Sequence, residues 1–297
     1  MFTMNDASNA GDLNFSDITI YNNSSSNVIA GGVLGAFSDS DKDLVVVQPG
    51  DTVTVQNAEF TFRRLTNSGK ISCPNKDGNG GNLKAGGTGC SGYQYFGGIA
   101  GVGDTYSKNF YDCTNTGDIE VYNGLKTRLG GILAYTNHNP TGCVCNVNQI
   151  LYYRYKPTYT SGNGEIGGVV GYCNLSEFED LTFIGGLQTT GSSPNCYTAG
   201  IIGRTRQAGT FRNCKVGKNG KNIVGASSGK FAPDTNMGAA LFTSCETNYA
   251  SFDFTGSYVA TGTKCQSTTI TASNLESALI GRNQPSNLTN LPTIGSW

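Results

Sequence analysis

A pair of glycines followed by aliphatic residues recurs along this chain, and it restricts the possible folds more than any other sequence feature. The motif occurs as GGVLG at 31–35, GGIAG at 97–101, GGILA at 130–134, GGVVG at 167–171 and AGIIG at 199–203, with a degraded copy, MGAAL, at 237–241. From Gly98 onward, the second positions of successive copies are 33, 37, 32 and 38 residues apart. A period of this size predicts a repeat architecture.

A second marker, Phe-x-x-(Ile/Leu/Cys), accompanies the glycine motif. It begins at Phe15, Phe62, Phe110, Phe178, Phe211 and Phe242, and a version without Phe is assigned to Gly142 and Cys145. The interval from glycine to Phe is 12, 10 and 11 residues in the copies that begin at Gly98, Gly168 and Gly200, whereas the return to the next glycine pair varies from 21 to 27. One segment of fixed length and one that tolerates insertion are expected for stacked coils with loops on one side.

The apolar segments within each copy are short and interrupted by glycine, as in FGGIAGV and NFYDC, which favours strands over helices. We therefore predict an all-β fold, a right-handed parallel β-helix with coils of about 33 residues stacked about 4.8 Å apart. A β-propeller has longer repeats of about 40–50 residues, and a β-sandwich needs no such period.

The sequence divides into three regions. Residues 1–60 form an N-terminal β-rich cap, in which 44–55 is a hairpin or an edge strand, and residues 61–266 form the β-helix. Residues 267–297 form a C-terminal cap, where Ser273 and Glu276 match a capping box and predict a short helix near 274–280.

The phrase from Gly97 to Ile119 combines GGI-x-G with C-T-N-x-G-x-I and resembles the GLUG-type repeats of secreted and surface-anchored bacterial proteins, notably those of Bacteroidetes. The resemblance covers roughly residues 90–250. It implies a right-handed parallel β-helix and an adhesin-like role at the cell surface, and because the motif is structural it implies no catalytic residues.

Composition restricts the function classes. The 297 residues carry a net charge of −1 without a long run of Lys or Arg, so nucleic acid is not an expected partner. The longest apolar stretch, 28–37, is too short to span a bilayer, and no signal peptide is recognisable. Ten cysteines and a surface rich in Asn, Ser, Thr and Tyr nevertheless favour an exported protein, extracellular or on the outer cell surface.

Cysteine replaces Leu or Ile in several copies of the Phe marker, so the first interpretation of Cys113, Cys214 and Cys245 is a ladder of small buried side chains. Equivalent positions on adjacent coils would also permit disulfides, Cys214 with Cys245 or Cys113 with Cys145. A metal site at His138, Cys143 and Cys145 is disfavoured, because their spacing does not match zinc ligand patterns.

The candidate binding segment is LYYRYKPTY at 151–159, which contains Tyr152, Tyr153, Arg154, Tyr155 and Tyr159. Tyrosine rings suit stacking on sugars or on a protein surface. The alternative is that they cover a sheet face or contact a neighbouring subunit. The expected role is therefore non-enzymatic adhesion or contact with a glycan or a host or neighbouring surface protein, and no cofactor is expected.

Two other functions stay open. A polysaccharide lyase or glycoside hydrolase could use the same scaffold, with Glu177, Glu179 and Asp180 as the densest acidic group, although these look like a solvated strand face. A structural subunit that self-associates end to end is the third alternative. Asp39, Asp41 and Asp43 are a weak calcium candidate, since no acid occupies the twelfth position of that loop.

Overall fold

The computed structural model describes most of the chain. The described residues are 2–11, 13–14, 19–21, 28–38, 59–73, 84–86, 93–104, 107–123, 126–136, 140–141, 144–145, 148–153, 164–190, 196–226, 238–245, 251–281, 285 and 287–297. The predicted hairpin at 44–55 lies outside them.

The strands follow one another in seven successive coils. Coil 1 contains β1 (Phe2–Asn5), β2 (Ser8–Asn9), β3 (Leu13–Asn14), β4 (Thr19–Tyr21), β5 (Val28–Gly31) and β6 (Leu34–Ser38). Coil 2 contains β7 (Glu59–Arg63), β8 (Thr66–Asn67), β9 (Ile71–Cys73), β10 (Lys84–Gly86), β11 (Tyr93–Gly97) and β12 (Ala100–Asp104). Coil 3 contains β13 (Ser107–Tyr111), β14 (Thr114–Asn115), β15 (Ile119–Asn123), β16 (Lys126–Gly130) and β17 (Leu133–Thr136).

The later coils keep the same order of strands. Coil 4 contains β18 (Pro140–Thr141), β19 (Val144–Cys145), β20 (Asn148–Tyr153), β21 (Gly164–Gly167) and β22 (Val170–Cys173). Coil 5 contains β23 (Glu177–Glu179), β24 (Thr182–Phe183), β25 (Gly186–Thr190), β26 (Cys196–Ala199) and β27 (Ile202–Thr205). Coil 6 contains β28 (Gly209–Arg212), β29 (Lys215–Val216), β30 (Asn222–Ala226), β31 (Gly238–Ala240) and β32 (Thr243–Cys245). Coil 7 and the C-terminal end contain β33 (Ser251–Asp253), β34 (Tyr258–Ala260), β35 (Lys264–Cys265), β36 (Thr268–Thr269), α1 (Leu275–Leu279), β37 (Asn287–Thr289) and β38 (Thr293–Gly295).

Each strand of a coil pairs with its counterpart in the next coil, which builds long sheets along one axis. Sheets A, B and C begin with β1, β2 and β3, and sheets E and F begin with β5 and β6. Sheet D is the short pair of β4 and β10. Every pairing between described strands is parallel except the one between β35 and β36. The chain is therefore an all-β parallel β-helix, as the repeat predicts, and its handedness stays a prediction.

The Phe marker forms a column inside sheet A. Phe62 pairs with Phe110, and Phe178 pairs with Phe211. Their ring centroids are 4.7 and 4.8 Å apart, the distance between neighbouring strands, and all four rings are buried. Stacking at this spacing removes large apolar surfaces from water in every coil that contributes a ring.

Three members of the predicted marker series lie elsewhere. Phe242 lies at the corner between sheets E and F and meets Phe211 edge-on, and Cys245 pairs with Thr205 in sheet F. Cys145 pairs with Asn115 in sheet B, so it does not share the position of Cys113. The predicted marker positions are wrong in these coils because the variable segments change length from coil to coil. In addition, a Phe and a Cys three residues apart occur by chance in a sequence rich in strands.

The repeat also differs from its predicted spacing at both ends. Gly31 pairs directly with Gly97, so the chain between these glycines makes a single long coil. In MGAAL, Ala240 pairs with Ala199, which places Ala240 and Leu241 at the glycine-pair position in place of Gly238. Insertions between strands, not a change in the stack, therefore account for the lost period.

The second glycine of each pair leaves room for a side chain from sheet B. A Cβ atom on Gly98 would lie 2.1 Å from Nδ2 of Asn115, and one on Gly168 would lie 2.3 Å from the Phe183 ring. A Cβ on the first glycine, Gly97, would lie 1.8 Å from the Ala100 carbonyl oxygen on the following strand. The motif therefore brings the backbones of sheets E and F close together at a tight corner.

The residues that face these glycines form an amide ladder in the first coils. Nδ2 of Asn9 donates to Oδ1 of Asn67 at 2.8 Å, and Nδ2 of Asn67 donates to Oδ1 of Asn115 at 2.8 Å. Later coils place the apolar residues Phe183 and Val216 at this position. The interior thus changes from hydrogen-bonded to apolar along the axis.

The corner between sheets A and B contains a residue with positive φ in most coils. These residues are Asp6, Arg64, Asp112, Asp180, Asn213 and Asn290, with φ between 46° and 58°. Four of them follow a buried Phe of sheet A by two positions, as Asn213 follows Phe211. Asp and Asn tolerate the left-handed region better than most residues, which explains their frequency in this position.

The C-terminal end carries the predicted short helix. Helix α1 occupies the position of a seventh sheet E strand, since the carbonyl oxygens of Ala278 and Leu279 accept from the backbone N–H groups of Leu241 and Phe242. The predicted capping box is wrong, because the N-cap is Asn274 and makes no side-chain capping bond. Instead, Oδ1 of Asn274 accepts from the backbone N–H of Thr271.

Candidate functional site

The predicted binding segment lies at the edge of what the structure describes. Tyr152 and Tyr153 are the last two residues of β20, and Tyr152 pairs with Tyr122 in coil 3 and Thr190 in coil 5. The remaining site residues Arg154, Tyr155 and Tyr159 lie outside the described residues, as do the calcium candidates Asp39, Asp41 and Asp43 and the weighed ligands His138 and Cys143. The structure therefore brings two tyrosine positions of neighbouring coils together on sheet C.

The acidic group of coil 5 is exposed. Glu177 and Glu179 flank the buried Phe178 on β23 and face solvent, and Asp180 occupies the positive-φ corner. These carboxylates lie on a solvated strand face, in agreement with the sequence. The described residues contain no group of three or more His, Cys, Asp and Glu side chains placed to hold a metal ion.

The densest set of polar and aromatic side chains lies at the corner between sheets E and F. We name it the E/F crease, and it contains Tyr95, Arg128, Glu165 and Tyr197 from sheet E and Tyr135, Tyr172 and Arg204 from sheet F. The sheet E members alternate with core residues such as Leu129 and Ile166, so they lie on the outer face. The close approach at the glycine pair turns the outer faces of the two sheets toward each other.

A three-residue ion network crosses the crease. Glu165 in coil 4 accepts from Nε of Arg128 in coil 3 at 2.5 Å and from a terminal nitrogen of Arg204 in coil 5 at 2.9 Å. The Glu165 side chain is only 2% exposed, and those of Arg128 and Arg204 are 11% and 13% exposed. Because two guanidinium groups share one carboxylate, the network carries a net charge of +1.

The tyrosines surround the two cations. The Arg128 guanidinium carbon lies 4.2 Å from the Tyr172 centroid and 4.8 Å from that of Tyr135, and the Arg204 carbon lies 4.4 Å from that of Tyr197. Tyr135 and Tyr172 are stacked with centroids 5.7 Å apart. Cation–π contacts of this kind orient the guanidinium groups and keep them within the crease.

The crease has an unusual end in coil 6. Gly238 pairs with Tyr197, so sheet E presents no side chain there. On sheet F, Ser244 lies between Thr243, which pairs with Ile202, and Cys245, which pairs with Thr205, and this places Ser244 beside the Gly203–Arg204 pair. The Ser244 hydroxyl is buried and has no hydrogen-bond partner among the described residues.

The sequence contains a signal for the crease that the Phe marker obscures. When the copies are aligned on their glycine pairs, the residue two positions before the pair is Ile29 in the first copy, and Tyr95, Arg128, Glu165 and Tyr197 in the next four. The residue four positions after the second glycine is apolar in the first two copies, Ala36 and Val102, and is Tyr135, Tyr172 and Arg204 in the next three. Polar and aromatic residues at fixed distances from a strand corner indicate two columns on adjacent faces.

Five cysteines with described side chains are buried thiols that form no disulfide: Cys113, Cys173, Cys214, Cys245 and Cys265. Burial raises the pKa of Cys173, Cys214, Cys245 and Cys265 to about 12. The predicted disulfides between Cys214 and Cys245 and between Cys113 and Cys145 are wrong, because Cys113, Cys214 and Cys245 form no disulfide. The prediction of small buried side chains is confirmed for Cys113, Cys214 and Cys245, although Cys245 lies in sheet F and not in a ladder with the other two.

Within the described ranges, no helix is long and apolar enough to cross a lipid bilayer.

Comparisons with known proteins identify no relatives of this chain. No protein-family model matches the chain, and no curated protein and no solved structure is significantly similar to it.

Proposed function

We propose that this chain is an exported, non-enzymatic β-helix protein that makes adhesive contact with a glycan through the E/F crease. The observation that carries this proposal is the ion network of Arg128, Glu165 and Arg204, enclosed by tyrosine rings across four coils. A host or neighbouring surface protein that presents similar chemistry is the alternative partner.

Stability alone gives a weak reason for such a network. Removing three charged groups from water is costly, and well-packed apolar side chains often stabilise a protein as much as a buried ion pair does. The outer face of sheet E could be as apolar as its inner face, yet Arg128 and Glu165 place charged side chains there. A charged, aromatic crease suits recognition, in which the partly exposed Tyr135 ring contacts an apolar sugar face and the buried rings of Tyr95, Tyr172 and Tyr197 hold the guanidinium groups in place.

The crease favours binding over glycoside hydrolysis. Hydrolysis generally requires two carboxyl groups about 5–10 Å apart. In the described part of the crease the carboxylate is Glu165, and both of its oxygens accept bonds from arginines. Both oxygens of this carboxylate are therefore engaged within the ion network.

Export is supported by the resemblance to GLUG-type repeats and by the Asn, Ser, Thr and Tyr content. The five buried thiols add no support for export, because they form no disulfide. Antibody labelling of intact and permeabilised source cells tests this part of the proposal. Labelling only after permeabilisation would show that the protein is not at the surface.

A glycan array tests the binding proposal with matched variants. Tyr135 is partly exposed in the crease, and Tyr135→Ala should lower the affinity for the bound glycans roughly tenfold. Tyr111→Ala is the control, since Tyr111 is also a strand tyrosine under a guanidinium group, that of Arg63 at 4.2 Å, but lies in sheet A. Its affinity should not change.

A third variant, Tyr153→Ala/Tyr155→Ala, tests the segment predicted from the sequence. Loss of binding in this variant, with Tyr135→Ala unaffected, would place the site on sheet C and reject the crease. Absence of binding to every glycan by the wild-type protein would reject the glycan proposal itself.

A further inference from the structure

The corner between sheets B and C carries a group of lysine side chains in coils 6 and 7. We name it the lysine corner, and it contains Lys215 on β29, Lys218 and Lys221 in the turn that follows, and Lys264 on β35. Lys218 is exposed, and the other three side chains are partly exposed. All four are therefore within reach of a molecule in solution.

Backbone contacts hold the lysine corner together. The backbone N–H of Lys221 donates to the carbonyl oxygen of Lys218 at 2.9 Å, which closes the turn. The backbone N–H of Lys264 donates to the carbonyl oxygen of Lys221 at 2.9 Å, so these two lysines are neighbours on adjacent coils. Lys215 lies on the outer face of sheet B, because the next residue of the strand, Val216, is buried.

The positive charge of the lysine corner is not balanced by carboxylates in the described part of the chain, where none of its lysines forms an ion pair. Burial lowers the pKa of Lys221, and the charge of Lys218 lowers it further, whereas Asp118 of coil 3 raises it. The same corner of coil 2 differs, since Lys70 pairs there with Glu120 at 2.6 Å. Four ammonium groups thus remain available to an external anion.

An exposed aromatic ring adjoins the lysine corner. Nζ of Lys215 lies 5.5 Å from the centroid of the Trp297 ring, and Trp297 is 41% exposed. Tyr258 pairs with Lys215 in sheet B and is partly exposed. The surface therefore combines positive charges with a flat apolar face that a ligand can reach.

We propose that the lysine corner binds an anionic polysaccharide, whose sulfate or carboxylate groups contact the lysines while a sugar ring lies against Trp297. The site goes beyond the proposed function, because it lies on sheets B and C and not in the E/F crease. Lysine ammonium groups act as hydrated point charges without the fixed geometry of a guanidinium group. They suit a polymer with repeated charges better than a single anion.

Other polyanions fit this surface less well. Nucleic-acid binding generally requires a strongly basic domain, whereas this chain carries a net charge of −1. Stable docking on an anionic membrane requires a buried apolar area in addition to lysines. Within the described ranges, the exposed large hydrophobic residues are Leu291 and Trp297 alone.

Titration calorimetry on the full chain tests the inference with three dextrans that share one glucose backbone: dextran sulfate, carboxymethyl-dextran and unmodified dextran. At low salt, at least one charged dextran should bind at least about tenfold more tightly than unmodified dextran, and the tighter of the two identifies the preferred anion. Oligothymidylate and phosphatidylglycerol vesicles represent the other polyanions. Tighter binding of either one than of both charged dextrans, or no binding of a charged dextran, would overturn the proposal.

The variant Lys218→Gln tests the lysines. It should weaken binding of the charged dextran about fivefold and make the slope of log K against log salt less negative by about one. Lys70→Gln is the matched control, because it removes one charge at the same corner of coil 2, where the lysine is paired with Glu120. Its affinity should not change. Equal effects of the two variants would show that net charge governs binding, and would reject the lysine corner.

The variant Trp297→Ala tests the contact with the sugar ring. It should weaken binding of the charged dextran about threefold, because the flat apolar face is lost while the four lysines remain. Unchanged affinity in this variant would reject the polysaccharide as the specific ligand.

The variant Tyr135→Ala separates the lysine corner from the E/F crease. Binding of the charged dextran should not change in this variant, since Tyr135 lies on sheet F. Loss of that binding in Tyr135→Ala, with Lys218→Gln unaffected, would assign the anionic ligand to the crease and reject the lysine corner. Loss of array glycans in Tyr135→Ala together with unchanged binding of the charged dextran would support both sites.

Discussion

The Arg128 guanidinium carbon lies 4.2 Å from the centroid of the Tyr172 ring, which belongs to the next coil and to the adjacent sheet. This contact joins sheets E and F and also joins coils 3 and 4. The same guanidinium donates to Glu165, so one side chain holds together an aromatic column and an ion network. The outer face of this corner is therefore organised by contacts between coils, in the same way as the core.

Glu165→Gln should destabilise the protein by about 3 kcal/mol, because it leaves two partly buried guanidinium groups without their carboxylate. The control is Glu120→Gln, which removes the partner of Lys70 at a much more exposed pair, with side chains 44% and 23% exposed, and should cost under about 1 kcal/mol. Urea unfolding followed by circular dichroism measures both. Equal losses would show that the crease network contributes no more than a surface ion pair.

Gly98→Ala should destabilise the protein by about 3 kcal/mol or prevent folding, since the new Cβ would lie 2.1 Å from the Gly131 carbonyl oxygen and from the Asn115 amide. Gly11→Ala is the matched control, because among the described residues the nearest atom to its Cβ would be Oδ1 of Asn9, at 3.8 Å. Thermal unfolding of the two variants gives the comparison. A Gly98→Ala protein with the wild-type melting temperature would contradict the close approach at the sheet E corner.

Asn213→Val should cost about 1–2 kcal/mol, because a β-branched residue is strained at the positive φ of this corner, 53°. Arg212→Val is the control at the preceding position, which is an exposed strand residue that tolerates a β-branched side chain. The urea midpoints should therefore differ between two substitutions of neighbouring exposed residues. Identical midpoints would argue against a left-handed residue at the corner.

The buried thiols predict a loss of stability at high pH. The pKa of Cys214 is raised by burial from 9.0 to about 12, so the unfolded chain loses the thiol proton first. The stability gained from the protonated thiol is complete below pH 9 and is lost as the pH rises from 9 to 12, on the order of 1 kcal/mol per pH unit. Unfolding midpoints measured across this range should fall less steeply for Cys214→Ala. An unchanged slope in that variant would show that Cys214 ionises equally in both states.

The period of the sequence is sufficient to predict a parallel β-helix, but it does not predict which residues pair between all successive coils. The glycine pairs and the Phe column at Phe62, Phe110, Phe178 and Phe211 repeat in step with the coils, because each position has the same neighbours in every coil. The predicted places of Phe242 and Cys145 in their coils are wrong, because each place depends on the number of residues in the preceding loop.

The crease escaped prediction for a related reason. Tyr95, Arg128 and Glu165 occupy one column although they share neither charge nor size, so no single residue type marks the position. The position is marked by its constant distance from the glycine pair, which the sequence shows only when the copies are aligned on that pair. The free hydroxyl of Ser244 depends on side-chain contacts and has no sequence signal.

The turn from sheet E to sheet F has the same length in coils 1–6, with two residues between the strands, whereas the segments between sheets C and E range from two residues in coil 3 to nineteen in coil 2. Insertions elsewhere therefore leave the alignment of the crease columns undisturbed. Each of coils 2–5 contributes one side chain per column, so mutation can alter the proposed binding surface one residue at a time without rebuilding any loop. Related chains that have diverged strongly in their loops could thus keep one recognition groove and vary only its individual side chains.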